Sequence, residues 1–143
     1  MPPVLSNGGT VNVSATTHKF RNIILCDDIR EETHNKKSLM GVFGGDVVVA
    51  AMPATINIAV YAEYDKGDDL ISNFELRLVQ DETEIAKASL RFDPQTPATV
   101  LSLVLPRAMV IFEKDCVFKI VASVDGSPEV EILSKRVFRA PLS

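Results

Sequence analysis

Apolar and polar side chains alternate with a period of two residues through most of this sequence. The longest example places apolar residues at Ile56, Ile58, Val60, Ala62 and Tyr64. The same alternation recurs over 74–79, 86–92 and 116–124. Successive side chains of a β-strand point to opposite faces, whereas neighbours on one face of a helix are three or four residues apart. The alternation therefore predicts a series of β-strands, each with one apolar face for a core.

Turn-forming segments separate these strands. Short polar segments occupy 65–69, 80–83 and 125–128, and a longer loop with two prolines occupies 93–97. Short strands separated by turns at this spacing favour two antiparallel sheets packed over one core. We therefore predict an all-β fold, an antiparallel two-sheet β-sandwich of the immunoglobulin-like kind with about seven to eight strands. A small helical turn around Pro106 to Val110 is the only helical element that we expect.

The beginning of the chain differs from the rest in composition. Residues 1–17 are rich in Gly, Asn, Ser and Thr and show no sustained period. We predict that they form a flexible N-terminal arm, in which Val11 and Val13 could pair with a neighbour as a short edge strand. The remaining residues, 18–143, are predicted to form a single domain, which is long enough to bury a core without metals or disulfides.

Charge and hydropathy argue against several classes of partner. The net charge is −4, and the lysines and arginines are scattered, whereas nucleic-acid and anionic-membrane surfaces need clustered cations. No apolar run approaches the ~18 residues of a membrane span. The first residues contain neither a basic nor an apolar segment typical of a signal peptide. We therefore expect a cytoplasmic protein that binds neither nucleic acid nor membranes.

The segment 24–45 concentrates reactive residue types, and we interpret it as a hairpin. The patterns predict one strand over 20–30 and another over 37–43, joined by a polar turn in which Asn35 can adopt a left-handed conformation. Glu31 and Glu32 are then expected to face Lys36 and Lys37 across the turn. The glycines of 41–45 are expected to mark a bulge or a tight bend.

Metal ligands are the main alternative interpretation of these residues. Cys26, Asp28 and His34 could be proposed as zinc ligands, but their spacing matches no recognised zinc pattern and a strand does not make them converge. Calcium fits better, since an interstrand loop with three acids could combine with acids of the hairpin. We predict no metal and no cofactor; if a metal does bind, the candidate ligands are Asp27, Asp28, Asp65, Asp68 and Asp69.

Catalytic motifs are absent from the sequence. There is no Gly-x-Ser-x-Gly elbow, and only His18 and His34 could serve as an imidazole base. The glycines of 41–45 are not followed by the Lys-Ser/Thr of a phosphate-binding loop. Cys26 and Cys116 lie within apolar strand patterns and are predicted to be buried, reduced thiols. We therefore predict no catalytic residue and no enzyme.

Two segments resemble a known group of proteins. Cys26-Asp27-Asp28-Ile29-Arg30-Glu31-Glu32 followed by Lys37-Ser38-Leu39-Met40-Gly41-Val42-Phe43-Gly44 resembles the opening of a family of uncharacterised bacterial β-sandwich proteins. Val117–Gly126 is similar to their closing hairpin, although 115–118 lacks the glycine and tyrosine common there. The resemblance covers both ends of the domain, while the middle matches only in the spacing of its predicted strands. It implies a sandwich fold and adds no catalytic residue, because the family carries no assigned activity.

A non-enzymatic binding or assembly module is the function that these observations favour. The predicted contact regions are the loops 31–36, 65–71 and 93–97, and the edge strands could pair between subunits. The apolar run Met109–Phe112 would mark an oligomer interface if exposed, and would belong to the core if buried. A protein partner or self-association is therefore expected.

Two other functions stay open at this point. One is a calcium-dependent binder or carboxylate-dependent hydrolase that uses the five aspartates named above. The other is a phage or virion structural component, which a flexible arm joined to a sandwich would suit.

Overall fold

A computed structural model describes residues 19–141, and these form ten β-strands and a 3-10 turn, Thr33–Asn35. The all-β prediction is therefore confirmed. In chain order the strands are β1 (Phe20–Cys26), β2 (Asp28–Glu31), β3 (Lys37–Met40), β4 (Val47–Val49), β5 (Ala54–Asp65), β6 (Asn73–Gln80), β7 (Thr83–Arg91), β8 (Val100–Phe112), β9 (Cys116–Val124) and β10 (Val130–Arg139). Nothing helical in 19–141 has the length and apolar character to cross a membrane. The predicted arm and His18 lie outside the described residues.

The strands of 19–141 assemble into three sheets rather than the predicted two, and they number ten rather than seven to eight. A three-stranded sheet has the order β1-β5-β8, a five-stranded sheet has the order β4-β10-β9-β6-β7, and β2 pairs with β3 alone. Pairing is antiparallel except between β4 and β10. The third sheet exists because the chain bends at Asp27, so that the single strand predicted over 20–30 divides into β1 and β2.

The two larger sheets share one hydrophobic core. On β6, Phe74, Leu76 and Leu78 are almost completely buried, as their alternation predicts. The rings of Phe112 on β8 and Phe118 on β9 meet edge to face with their centroids 5.9 Å apart, which joins the two sheets directly. Aromatic contacts of this kind add to the free energy gained from burial alone. The alternating pattern therefore defines the core correctly.

The predicted helical turn around Pro106 to Val110 is wrong, because β8 continues through it. The pairing of β5 with β8 shifts between Ile58 and Val60, where β8 holds one extra residue in a bulge at 106–107. Proline lacks a backbone N–H and is tolerated in edge strands and bulges, so it does not end β8 here. The alternation of β8 continues beyond the bulge and buries Val110 and Phe112 while it exposes Met109 and Ile111.

Two predicted turns have the backbone typical of tight hairpins. Asp81 and Glu82 have φ angles of 46° and 74°, and Asp125 and Gly126 have φ angles of 48° and 76°. Two consecutive left-handed residues match the right-handed twist of the strands that they join. The carboxylate of Asp125 also accepts hydrogen bonds from the backbone N–H groups of Ser72 and Asn73, which ties two loops at one end of the molecule together.

We predict that Phe118→Ala lowers the free energy of unfolding by about 3–5 kcal/mol, because the loss of a buried ring leaves a cavity between the sheets. Urea denaturation followed by circular dichroism measures this change. Val48→Ala is the control, since the Val48 side chain is 52% exposed, and it should cost less than about 1 kcal/mol. Equal effects of the two substitutions would contradict a core shared by the sheets.

Candidate functional site

The short hairpin formed by β2 and β3 lies over the outer face of the three-stranded sheet, where it contacts β5 and β8. Ile58 and Val60 point into the core, so Ala59 between them points outward, yet Ala59 is completely buried. Cys26, its neighbour on β1, is also completely buried. The hairpin therefore covers part of a sheet face that would otherwise meet water.

A close contact between Asp27 and Gly41 sets the bend at the base of the hairpin. The backbone N–H of Asp27 donates to the carbonyl oxygens of Met40 and Gly41, at 2.9 and 3.1 Å. Gly41 has a φ of +67°, and a Cβ atom placed there would clash with the side chain of Asp27. Glycine is thus required both by backbone conformation and by space. The predicted bend in 41–45 is confirmed at this residue.

The tip of the hairpin has the predicted left-handed residue and one of the predicted ion pairs. Asn35 is left-handed, with a φ of 58°, as is His34, with a φ of 63°. The Nζ of Lys37 lies 3.1 Å from a carboxylate oxygen of Glu31, which is one of the predicted cross-turn pairs. Glu32 instead accepts a hydrogen bond from the hydroxyl of Ser38. These contacts link β2 and β3 near the tip of the hairpin.

The candidate metal ligands lie in two separate places. Asp27 packs against Gly41, and Asp28 accepts a hydrogen bond from the backbone N–H of Ile29. Asp65 and Asp69, in contrast, lie in or beside the β5–β6 loop with the exposed Asp68. Within 19–141, no group of three His, Cys, Asp or Glu side chains is placed to hold a metal ion.

Two of the loop acids have cationic partners. The Nζ of Lys19 lies 2.9 Å from a carboxylate oxygen of Asp69, and a guanidinium nitrogen of Arg21 lies 3.9 Å from one of Asp65. Lys19 directly precedes β1 and Arg21 belongs to it, so these acids connect the start of that strand to the β5–β6 loop region. Exposed pairs of this kind contribute little to stability, but they reduce the negative charge available to a cation.

The two cysteines are buried and are not bonded to each other. The Sγ of Cys26 lies 3.4 Å from the carbonyl oxygen of Asp28, to which its thiol donates. Burial raises the pKa of both thiols above the ordinary value, so less thiolate is present at neutral pH. His34 lies at the exposed tip of the hairpin, whereas Cys26 is the last residue of β1, next to the base of the hairpin. The structure therefore does not assemble the zinc set considered above.

A groove of about 500 Å³ opens beside the hairpin tip. It lies between the tip, the end of β7, the loop that follows β7, and the first half of β8. Asn35, Lys37 and Arg91 supply polar groups on its sides, while Val100 and Val104 supply aliphatic surface. Such a mixture of aliphatic surface with a few convergent polar groups is typical of binding sites.

A hydrogen-bonded carboxylate lies next to this groove on the same face of the sheet. Glu63 is opposite Ser102, which lines the groove. The hydroxyl of Tyr61 donates to Glu63 at 2.7 Å and the amide of Asn22 donates at 2.8 Å. These donors lower the pKa of Glu63, whereas burial and the nearby Glu63 raise the pKa of Tyr61. Glu63 therefore stays ionised and already has its partners.

Arg91 is the cation of the groove that is available to a ligand. Lys37 is paired with Glu31, and its side chain is only 12% exposed. Arg91 is exposed and makes no ion pair with any residue from Lys19 to Pro141. A guanidinium group offers several donors in a fixed plane that match a carboxylate. The groove thus favours an anionic group at its β7 side.

A larger depression, of about 670 Å³, lies at the opposite end of the molecule. Its charged side chains, Glu113, Lys114, Asp115 and Arg139, alternate in sign and so select no ligand charge. The groove beside the hairpin is the better candidate site.

The sequence model of DUF6941, described as a family of unknown function, matches residues 21–133. The chain belongs to DUF6941. The predicted membership of an uncharacterised family is thereby confirmed. No curated protein matches the chain. The hairpin and the residues that line the groove lie within the region that the DUF6941 model matches.

Two of the predicted contact loops contribute residues to this groove, whereas its strand residues were not predicted. The loops 31–36 and 93–97 were both predicted contact regions, and residues of each line the groove. Arg91, Ser89 and Ser102 were not predicted, because they belong to regular alternation on two strands. Their only sequence signal is a polar side chain on the outward-facing positions of a strand, which most strands share.

We predict that Gly41→Ala destabilises the protein by at least about 1–2 kcal/mol, the usual cost of a left-handed conformation for a residue with a Cβ atom. The contact with Asp27 adds to this cost. Gly44→Ala is the matched control, because no atom lies within 4 Å of its added Cβ and its φ is not positive. Thermal unfolding of both variants makes the comparison, and a Gly41→Ala variant as stable as the control would contradict the described bend.

We also predict that millimolar Ca²⁺ leaves the melting temperature unchanged, because the five aspartates do not converge. A ligand that binds only the folded state raises the melting temperature by mass action. Differential scanning calorimetry with and without Ca²⁺ measures the effect, with Mg²⁺ as the control for ionic strength. A rise of several degrees in Ca²⁺ alone would instead support the calcium-dependent alternative.

Proposed function

We propose that this DUF6941 protein is a non-enzymatic binding module whose partner is an extended, acidic segment of another protein. The groove beside the hairpin tip is the proposed contact surface. The observation that supports it most is that the groove joins two distant loops and the unpaired guanidinium of Arg91 on one surface. The third predicted contact loop adjoins them, since the N–H groups of Lys66 and Gly67 both donate to the carbonyl oxygen of Thr99.

The strands beside the groove suit an extended ligand. β7 and β8 are each the last strand of a sheet, and they are not hydrogen-bonded to one another. An extended peptide can add to such an edge through backbone hydrogen bonds, with its alternate side chains entering pockets. Here Val100 and Val104 would accept an apolar side chain and Arg91 a carboxylate.

The contacts within the hairpin support a binding surface rather than a moving catalytic loop. The Glu31–Lys37 pair and the Ser38–Glu32 hydrogen bond fix the tip, and the Asp27–Gly41 contact fixes its base. A surface that is ordered before its ligand arrives loses less conformational entropy on binding. The proposed site is therefore organised in advance.

The other functions have less support. A calcium-dependent binder or hydrolase needs Asp27 and Asp28 close to the β5–β6 loop, which the described geometry does not favour. A virion component was inferred from the N-terminal arm, which lies outside 19–141. We also propose that the two larger sheets form an immunoglobulin-like sandwich, with the hairpin as an addition; their shared core supports this arrangement.

Peptide selection followed by calorimetry tests the binding proposal. A display library of random peptides is selected on the full-length protein, and the enriched peptides are titrated into the wild type and two variants. We predict enrichment in Asp and Glu, and a loss of affinity of about tenfold or more in Arg91→Glu, as for the loss of a hydrogen bond to a charged group. Lys114→Glu makes the same charge change at the opposite end and should leave the affinity within about twofold.

Two outcomes would contradict the proposal. One is that no peptide binds, and the other is that the enriched peptides bind Arg91→Glu as tightly as they bind the wild type. Thermal unfolding of both variants separates a loss of binding from a loss of folding.

A further inference from the structure

The second half of β8 has a free edge that the proposed peptide groove does not use. Over Ala108–Phe112, β8 pairs with Ala54–Ile58 of β5 on one side. On the other side it is not hydrogen-bonded to a strand within 19–141. Native proteins usually protect such edges with charges, prolines or a covering element, because unpaired backbone groups invite another strand.

The outward side chains along this edge are apolar in the middle and charged at the ends. Met109 is 72% exposed and Ile111 is 55% exposed. Arg107 precedes them and Glu113 follows them at the same two-residue spacing, and both are exposed. Neither Arg107 nor Glu113 makes an ion pair with the rest of the described chain. A basic residue, two apolar residues and an acidic residue thus form a short linear pattern.

We propose that β8 pairs antiparallel with β8 of a second copy of this chain, about a two-fold axis at Val110, so that two three-stranded sheets become one continuous sheet. When two copies of this pattern run antiparallel, a basic residue faces an acidic residue and an apolar residue faces an apolar residue. With Val110 opposite the partner's Val110, Arg107 lies opposite the partner's Glu113, and Met109 lies opposite the partner's Ile111. Because the axis is two-fold, each of these pairs occurs twice, which is the self-complementary interface that a dimer requires.

Other registers fit the side chains less well. A shift that places Met109 opposite the partner's Met109 puts Ile111 against a guanidinium group. A shift the other way places Met109 opposite the partner's Glu113. A shift by one residue would set outward side chains opposite inward ones. The charges at the two ends of the pattern therefore select one register, since opposite charges across a strand pair stabilise it and like charges destabilise it.

The bulge at 106–107 gives the interface a boundary. Proline has no N–H to offer to a neighbouring strand, and the bulge interrupts the regular spacing of backbone groups. β8 ends at Phe112 on the other side, so the regularly paired segment is 108–112, and Arg107 and Glu113 flank it by one residue at either end. The residues of β8 that line the peptide groove, 100–104, lie beyond the bulge. The dimer therefore leaves the groove available, and the two surfaces act independently.

Charge exchange tests this interface on the full-length chain. Arg107→Glu places two acidic residues opposite each other in each pair, and Glu113→Arg places two basic residues opposite each other. We expect each single variant to raise the dimer dissociation constant about tenfold or more, because two cross-strand pairs change from attraction to repulsion. The double variant Arg107→Glu/Glu113→Arg restores both pairs in the opposite sense and should dimerise nearly as well as the wild type.

Sedimentation velocity from micromolar to hundreds of micromolar protein, at low and moderate salt, measures the dissociation constants. Lys87→Glu on the edge strand β7 is the control, and it should not weaken the dimer. Hydrogen exchange on the wild type should show slower exchange in 108–112 as the protein concentration rises. Thermal unfolding shows whether each variant stays folded.

Three results would overturn the inference. The first is a wild-type chain that is monomeric throughout the concentration range. The second is a dimer that both single variants leave unchanged. The third is a double variant no better than the singles, which would show that Arg107 and Glu113 do not face each other.

Discussion

The burial of apolar side chains from both larger sheets in one core is the constraint on which the rest of this structure depends. Neither the three-stranded sheet nor the five-stranded sheet could keep its inner face in water, and the meeting of Phe112 with Phe118 is the direct sign that each covers the other. Every second residue of the long strands is committed to this core. The remaining positions face outward, and only these are free to carry function.

The groove on the outer face of the three-stranded sheet depends on a local change of chain direction. One residue after β1 the chain turns at Asp27 and lays a hairpin across the sheet, and Gly41 permits the return. This brings Lys37 and Asn35 to the edge of β8, where Arg91 approaches from the other sheet. The groove is thus built from three parts of the chain that are distant in sequence. A single backbone bend determines whether it exists.

The alternation of apolar and polar residues determines how much of the fold could be predicted from the sequence. It identified β5, β6 and β9 and their buried residues, because alternation reports directly on which face meets the core. It could not identify the break at Asp27, which depends on the close approach of Gly41. It also failed at Pro106, because whether a proline ends a strand depends on whether that strand lies at an edge. Arg91 was not predicted as a site residue, because its position near the hairpin tip results from contacts between parts of the chain that are distant in sequence.

The parallel pairing of β4 with β10 has a consequence for the order in which the protein is made. Val47–Val49 align with residues 137–139, nearly the last that the structure describes. During synthesis on the ribosome, β4 emerges before its neighbour, because the strands β5 to β9 lie between them in the chain. Contacts between residues so distant along the chain slow folding and prolong the exposure of unpaired strands. The nascent chain therefore carries β4 without this neighbour until β10 has been synthesised.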